Sequence, residues 1–189
     1  FLLAKIFYDS TVYTENRERL LEAYQRKSEV SELEQKIIEA NYERVVYGNG
    51  KKAMAIFDSL IIKYPDIPFL YERTANMKAF SNEFDKSIEY WKKALEINPK
   101  SYYSALRLGL LHVNVGTEFA PLPLERRNLD EGKKWLNEAS KIRPNASATP
   151  RFLGNFYRAE LDLDKALEVY ELAVKKNTEK TSQLMEQNL

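Results

Sequence analysis

Apolar residues recur along this chain at the three- and four-residue intervals of α-helices, and turn signals separate the apolar segments. Residues 15–28 show this spacing and predict a first helix. Ser31 followed by Glu34 has the pattern of a capping box, in which each residue satisfies a backbone amide of the other, so a second helix should begin near Ser31. That helix is predicted to end at residues 48–50, Gly-Asn-Gly, where positive φ angles cost little energy.

A longer period begins at Ala53. A small residue and a bulky residue recur after 34 residues, then after 45, then after 34 again, and a proline follows in the first three sets and a threonine in the fourth. Two antiparallel helices need a small residue where their axes approach, a bulky residue beside it and a breaker before the next pair. Gly132 is a poor helix residue, so we interpret it as a close-approach contact. The successive landmarks are Ala53, Phe57 and Pro65, then Ser87, Trp91 and Pro99, then Gly132, Leu136 and Pro144, then Ala166, Tyr170 and Thr178.

This pattern resembles the tetratricopeptide family, whose repeat of about 34 residues is a helix–turn–helix unit with small, aromatic and proline landmarks at these offsets. The match is most specific at Tyr71, Trp91, Ala94 and Pro99. The resemblance implies an all-α fold, a right-handed α-solenoid of stacked antiparallel helix pairs. It predicts an N-terminal helical segment, four repeats and a C-terminal tail or helix extension, over residues 1–33, then 34–67, 68–101, 102–146 and 147–180, then 181–189.

The interval of 45 residues places an insertion of 11 residues within the third repeat, at about residues 117–127, TEFAPLPLERR. Pro121 and Pro123 exclude regular helix there. Insertions in solenoids fall in loops on one face, often the binding face, but lengthening a loop costs little energy. Two interpretations therefore stay open, a binding loop and an excursion that packs back on its repeat. The binding loop would act through Leu122, Leu124, Arg126 and Arg127.

Composition argues against most chemistry. Lysine plus arginine number 29 and aspartate plus glutamate 28, so the net charge of +1 does not indicate a nucleic-acid ligand. The chain has no cysteine and one histidine, which excludes disulfides, thiolate metal sites and multi-histidine zinc sites. We therefore predict that the protein is not an enzyme and holds no metal or cofactor. The single histidine, His112, stands where the family usually has an aromatic core residue, so we interpret it as a packed ring.

The first residues, FLLAKIFY, are apolar but too few to cross a bilayer, which takes about 20 residues. They fit either a helix that packs on the repeats or the stub of a longer membrane helix. The given residues therefore predict a soluble domain, with a membrane anchor possible only through sequence upstream of Phe1. The compartment stays open.

The resemblance also implies that the first helix of each repeat lines a concave groove. Two occupants fit an apolar, aromatic groove of this kind: a peptide or helix of a protein partner, or the N-terminal helix of this chain through Leu20, Leu21 and Tyr24. The N-terminal helix of another copy would make a homo-oligomer. A further alternative is that some of these residues are buried between helices. The groove residues are Ile38, Tyr42, Phe69, Asn76, Phe80, Tyr103, Leu106, Leu110, Asn114, Arg151 and Asn155.

These observations predict a non-enzymatic scaffold that binds a peptide or helix of a protein partner in its concave groove. The alternative is an assembly component of a membrane-anchored or envelope complex, anchored upstream of Phe1 and binding through its convex side or its insertion.

Overall fold

The computed structural model describes residues 13–113 and 122–186, with side chains over 17–113 and 122–179. All regular structure in these ranges is helical, and none of their helices is long and apolar enough to cross a membrane. Single 3-10 turns lie at Lys27–Glu29 and Leu124–Arg126. The α-helices are α1 (Tyr13–Gln25), α2 (Glu32–Val45), α3 (Gly50–Lys63), α4 (Pro68–Phe80), α5 (Phe84–Ile97), α6 (Tyr102–Val113), α7 (Leu129–Ile142), α8 (Ala148–Ala159) and α9 (Leu163–Glu186).

Helix starts follow local side-chain chemistry. The hydroxyl of Ser31 accepts the backbone N–H of Glu34 at 3.4 Å, and the Glu34 carboxylate accepts the N–H of Ser31 at 3.1 Å. The predicted capping box of α2 is therefore confirmed. Asn49 and Asn128 cap α3 and α7 in the same manner, each accepting a backbone N–H three residues ahead.

Three turns between the helices of a pair share one backbone conformation at equivalent repeat positions. Gly48, Asn82 and Leu161 have φ angles of 65°, 61° and 62°, in the left-handed region. Their spacings of 34 and 79 residues equal one and two further repeats when the insertion is counted. Each of these residues lies two or three positions after the end of a first helix, so the left-handed conformation turns the chain into the second helix of its pair.

The chain forms two compact units, Phe1–Met77 and Lys78–Leu189. In the first unit, α1 packs on α2 and α2 packs on α3. The core of this unit lies between α2, α3 and the first turns of α4. It consists of Ile37, Ala40, Ala53, Phe57, Leu60 and Leu70.

The second unit stacks successive helices, since α5 packs on α6, α6 on α7, α7 on α8 and α8 on α9. The first helices α6 and α8 also contact each other directly. The core of this unit is an apolar cluster drawn from α6, α7 and α8. Its buried members are Tyr102, Ala105, Leu106, Leu110, Val113, Leu136, Ala139, Phe152 and Phe156.

Two glycines set the closest approach between α6 and α7. A Cβ atom at Gly132 would lie 2.2 Å from Cγ2 of Val113, and one at Gly109 would lie 2.8 Å from Cγ of Leu136. Side chains therefore do not fit between these helices at this level, which confirms the interpretation of Gly132. The bulky landmarks Phe57, Trp91 and Leu136 are all buried, as the repeat pattern predicts.

Candidate partner-binding surface

In the first unit, α1 covers part of the predicted groove. The ring of Tyr24 stacks on the ring of Tyr42 with centroids 3.8 Å apart, and Tyr47 meets Tyr42 edge-on at 5.3 Å. Partial burial raises the pKa of Tyr42, and Tyr47 adds to the shift. Leu20 of α1 and Ile38 of α2 are both buried. The chain's own N-terminal helix thus takes the contact that a partner was expected to make at Tyr42.

On α4, Phe69 and Asn76 are half-buried. The guanidinium of Arg73 lies 5.0 Å from the centroid of the Phe69 ring, a cation–π distance, and the same ring packs against the core of the first unit. Phe69 is therefore held in place and partly accessible. Asn76 is a half-buried polar residue of the same helix.

In the second unit the predicted groove residues fall into two groups. Phe80 is exposed and Tyr103 is half-buried, with the guanidinium of Arg107 4.8 Å from the centroid of the Tyr103 ring. Leu106 and Leu110, however, are only 8% and 2% exposed. Asn114 lies outside the described residues.

Leu106 and Leu110, which were predicted to line the groove, are buried in this structure. Both leucines belong to the core cluster that includes Phe152 and Phe156 of α8. Because α8 packs against α6, its aromatic side chains cover the α6 positions that a single isolated repeat would leave open. The alternative of burial between helices therefore applies to these two residues.

The last first helix, α8, carries an exposed groove residue, Arg151, and a half-buried one, Asn155. Arg151 is exposed, with its guanidinium 4.6 Å from the ring centroid of Phe152. The Oδ1 atom of Asn155 accepts the hydroxyl of Tyr170 at 2.7 Å, which ties α8 to α9. Asn155 therefore has a structural contact that a partner would have to share.

At the described end of the insertion, one leucine is buried and the other is exposed. Leu122 is buried, its N–H donates to the carbonyl of Leu111 at 3.0 Å, and its own carbonyl accepts Nε of Arg127 at 2.7 Å. Leu124 is 76% exposed, and Arg126 forms an ion pair with Asp85. The segment thus packs back through Leu122 and presents Leu124 at the surface.

His112 links the end of α6 to the start of α7. Its Nδ1 atom accepts the backbone N–H of Asn128 at 3.1 Å, so this nitrogen carries no proton. Burial lowers the pKa of His112; Lys92 acts in the same direction, and Glu131 opposes them. The ring is half-buried and packed near Gly132, and its acceptor role is one that the repeat pattern did not indicate.

We expect the free energy of unfolding to fall as the pH drops from about 7.5 to about 5.5, because unfolded His112 takes up a proton more readily than the folded ring. This contribution is complete above the unfolded pKa and is lost as the pH falls from there through the lower pKa of the folded ring. The variant His112→Asn keeps an acceptor but does not titrate, so its stability should change less. Urea denaturation, followed by the fluorescence of Trp91 and Trp135, measures the difference. Equal pH dependence in both proteins would contradict the assignment.

Sequence reasoning missed a pair of residue types that repeats on the first helices. Phe69 with Arg73 and Tyr103 with Arg107 each combine an aromatic ring with an arginine one helical turn later, and the two pairs are 34 residues apart. The signal was present as an i, i+4 spacing at equivalent repeat positions. Within the described ranges, no group of three or more histidine, aspartate or glutamate residues is placed to hold a metal ion.

Comparison with known proteins supports the repeat assignment. Residues 71–101 match the model of the family described as Tetratricopeptide repeat. Anaphase-promoting complex subunit 3 of Schizosaccharomyces pombe is 27% identical over 111 residues, which is 59% of this chain and 15% of that protein. The chain thus spans a small part of the length of this relative.

Solved structures share the fold at low sequence identity. MamA is 15% identical, with a TM-score of 0.65 over 93% of this chain and 99% of that chain. Yeast Tom70 is 17% identical, with a TM-score of 0.60 over 94% of this chain and 37% of that chain. Together with the helical architecture, these likenesses confirm the predicted fold class, an all-α solenoid built from helix pairs.

Proposed function

We propose that this chain, a member of the tetratricopeptide repeat family, is a non-enzymatic scaffold whose first helices bind a peptide or helix of a protein partner. Protein–protein interaction is the general role of this family. Tyr103 and Arg151 are the groove positions to which we assign the contact in the second unit.

One observation carries the surface assignment. The neighbouring first helices α6 and α8 bear the accessible side chains of Tyr103 and Arg151 above a buried layer that includes Leu106 and Leu110. Tyrosine and arginine are enriched in protein interfaces because they combine large contact area with directed hydrogen bonds. Arginine also binds carboxylates through paired hydrogen bonds, so a segment that carries aspartate or glutamate is the partner chemistry that fits best.

Site-specific photocrosslinking tests this assignment directly. A photoreactive benzoylphenylalanine replaces Tyr103 in one variant and Leu124 in a second, and each variant is irradiated in the native cell. We expect covalent adducts from position 103, and mass spectrometry of the adducts identifies the partner segment. Adding Arg151→Glu to the first variant should reduce adduct yield severalfold, since the charge that faces the partner is reversed.

The two variants also separate the groove from the insertion. Adducts from position 124 without adducts from position 103 would overturn the groove assignment in favour of the insertion. Circular dichroism of the purified variants checks that the helices are intact, because only surface or half-exposed positions are changed. An adduct between two copies of the chain would make the partner a second copy at the same surface.

A further inference from the structure

Helix α9 carries an apolar stripe that the rest of its unit leaves in contact with solvent. Leu163, Leu167 and Val174 are 64%, 60% and 66% exposed. At about 100° per residue the three side chains fall within a sector of about 40°, so they form one continuous strip. Ala166, which is buried, marks the different face that packs on α8.

On each earlier second helix, one position equivalent to a strip residue packs against a core. Leu129 of α7 corresponds to Leu163, and Leu95 of α5 and Ile61 of α3 correspond to Val174. Leu95 and Leu129 pack against the core of the second unit, and Ile61 packs against the core of the first. The core of the second unit contains residues of α6 and α8, the first helices that follow α5 and α7. The core of the first unit contains a residue of α4, which follows α3. A strip of this kind is therefore a seat for a helix.

Charge specifies what the seat accepts. Asp164, Glu168 and Glu171 are exposed and follow one border of the strip through the first half of α9, and Lys175 ends the row. Within the described part of the chain these three carboxylates form no ion pair. We propose that α9 docks an amphipathic helix of a partner protein, with an apolar stripe of leucine-like residues on Leu163, Leu167 and Val174 and lysine or arginine against the acidic border.

This proposal concerns a second helix and does not depend on the surface assigned to Tyr103 and Arg151. The probe is a fluorescein-labelled peptide of about 18 residues, stapled into a helix, with leucine at heptad a and d positions and lysine on both flanks. A matched peptide has glutamate in place of every lysine. Fluorescence anisotropy measures the affinity of each peptide for the full chain at low salt.

We expect the lysine peptide to bind about tenfold more tightly than the glutamate peptide, since several border contacts change sign together. Leu167→Asp should weaken the lysine peptide about tenfold. Leu172→Asp is the matched control, because Leu172 is 43% exposed on the same helix and lies about 140° away from Leu167. The affinity of this variant for the lysine peptide should stay within about twofold of wild type. The double variant Glu168→Lys, Glu171→Lys should reverse the preference between the two peptides.

Three results would overturn the proposal. Equal affinity for the two peptides would contradict the role of the acidic border. Equal losses of affinity from Leu167→Asp and Leu172→Asp would show that binding does not use the strip. Sedimentation velocity tests another occupant, since dimerisation of the peptide-free chain that Leu167→Asp abolishes would make a second copy the occupant of the strip. Photocrosslinking from position 103 is independent of all three results.

Discussion

Replacing Phe57 with alanine should lower the free energy of unfolding by about 3–5 kcal/mol, the largest effect expected of a single substitution in the first unit. Phe57 is 1% exposed and lies in the buried cluster between α2, α3 and the first turns of α4. Truncation removes the ring and leaves a cavity that helices fixed by their caps and by their neighbours close only in part. Urea denaturation followed by circular dichroism measures the change.

The same helix supplies the control. Ile62 of α3 is 84% exposed, so Ile62→Ala removes a similar amount of apolar volume without opening a cavity. Its effect should stay within about 0.5 kcal/mol. A loss below about 1 kcal/mol for Phe57→Ala, or similar losses for the two variants, would show that Phe57 is not part of a close-packed core.

Adding one methyl group at Gly132 should destabilise the second unit by about 1–3 kcal/mol, even though alanine is the better helix former. The new Cβ atom would lie 2.2 Å from Cγ2 of Val113 and 3.0 Å from Cβ of His112, so α6 and α7 must separate. Val113 is buried and has little room to move. The loss should appear as a lower urea midpoint with an unchanged slope.

Gly50 is the matched control for this substitution. It is the first residue of α3, and a Cβ atom there would meet nothing within 4 Å. Gly50→Ala should therefore leave stability unchanged or raise it by up to about 1 kcal/mol, since alanine restricts the unfolded chain. If both glycine substitutions had the same sign and size, the close approach of α6 and α7 would not be the cause.

The parts of the fold that the sequence predicted depend on contacts within one helix or one helix pair. The capping box of Ser31 and Glu34 is local, and the burial of Phe57, Trp91 and Leu136 follows from the repeat period, which fixes the register of each second helix. These features recur at constant spacing because the same two-helix problem is solved in each repeat.

The parts of the candidate site that the sequence did not predict depend on which neighbour covers a position. Leu106 and Leu110 are buried because α8 packs on α6, and Tyr42 is stacked because α1 places Tyr24 against it. The exposed strip on α9 is the opposite case, in which no described helix of its unit covers it. Coverage of this kind is set by the order of helices in the stack, and the residue types at these positions are the same whether they are covered or not.

The left-handed turns differ in how far they depend on the packing of their helices. Glycine and asparagine adopt the conformation of Gly48 and Asn82 readily, but for Leu161 the same φ of 62° costs about 1–2 kcal/mol. The residue is exposed, so its side chain gains no packing energy in return. The contacts between α8 and α9 must supply that energy, so the turn at Leu161 is stable only while the two helices are docked. In the first repeat glycine removes this cost, and the turn depends less on the contacts between its helices.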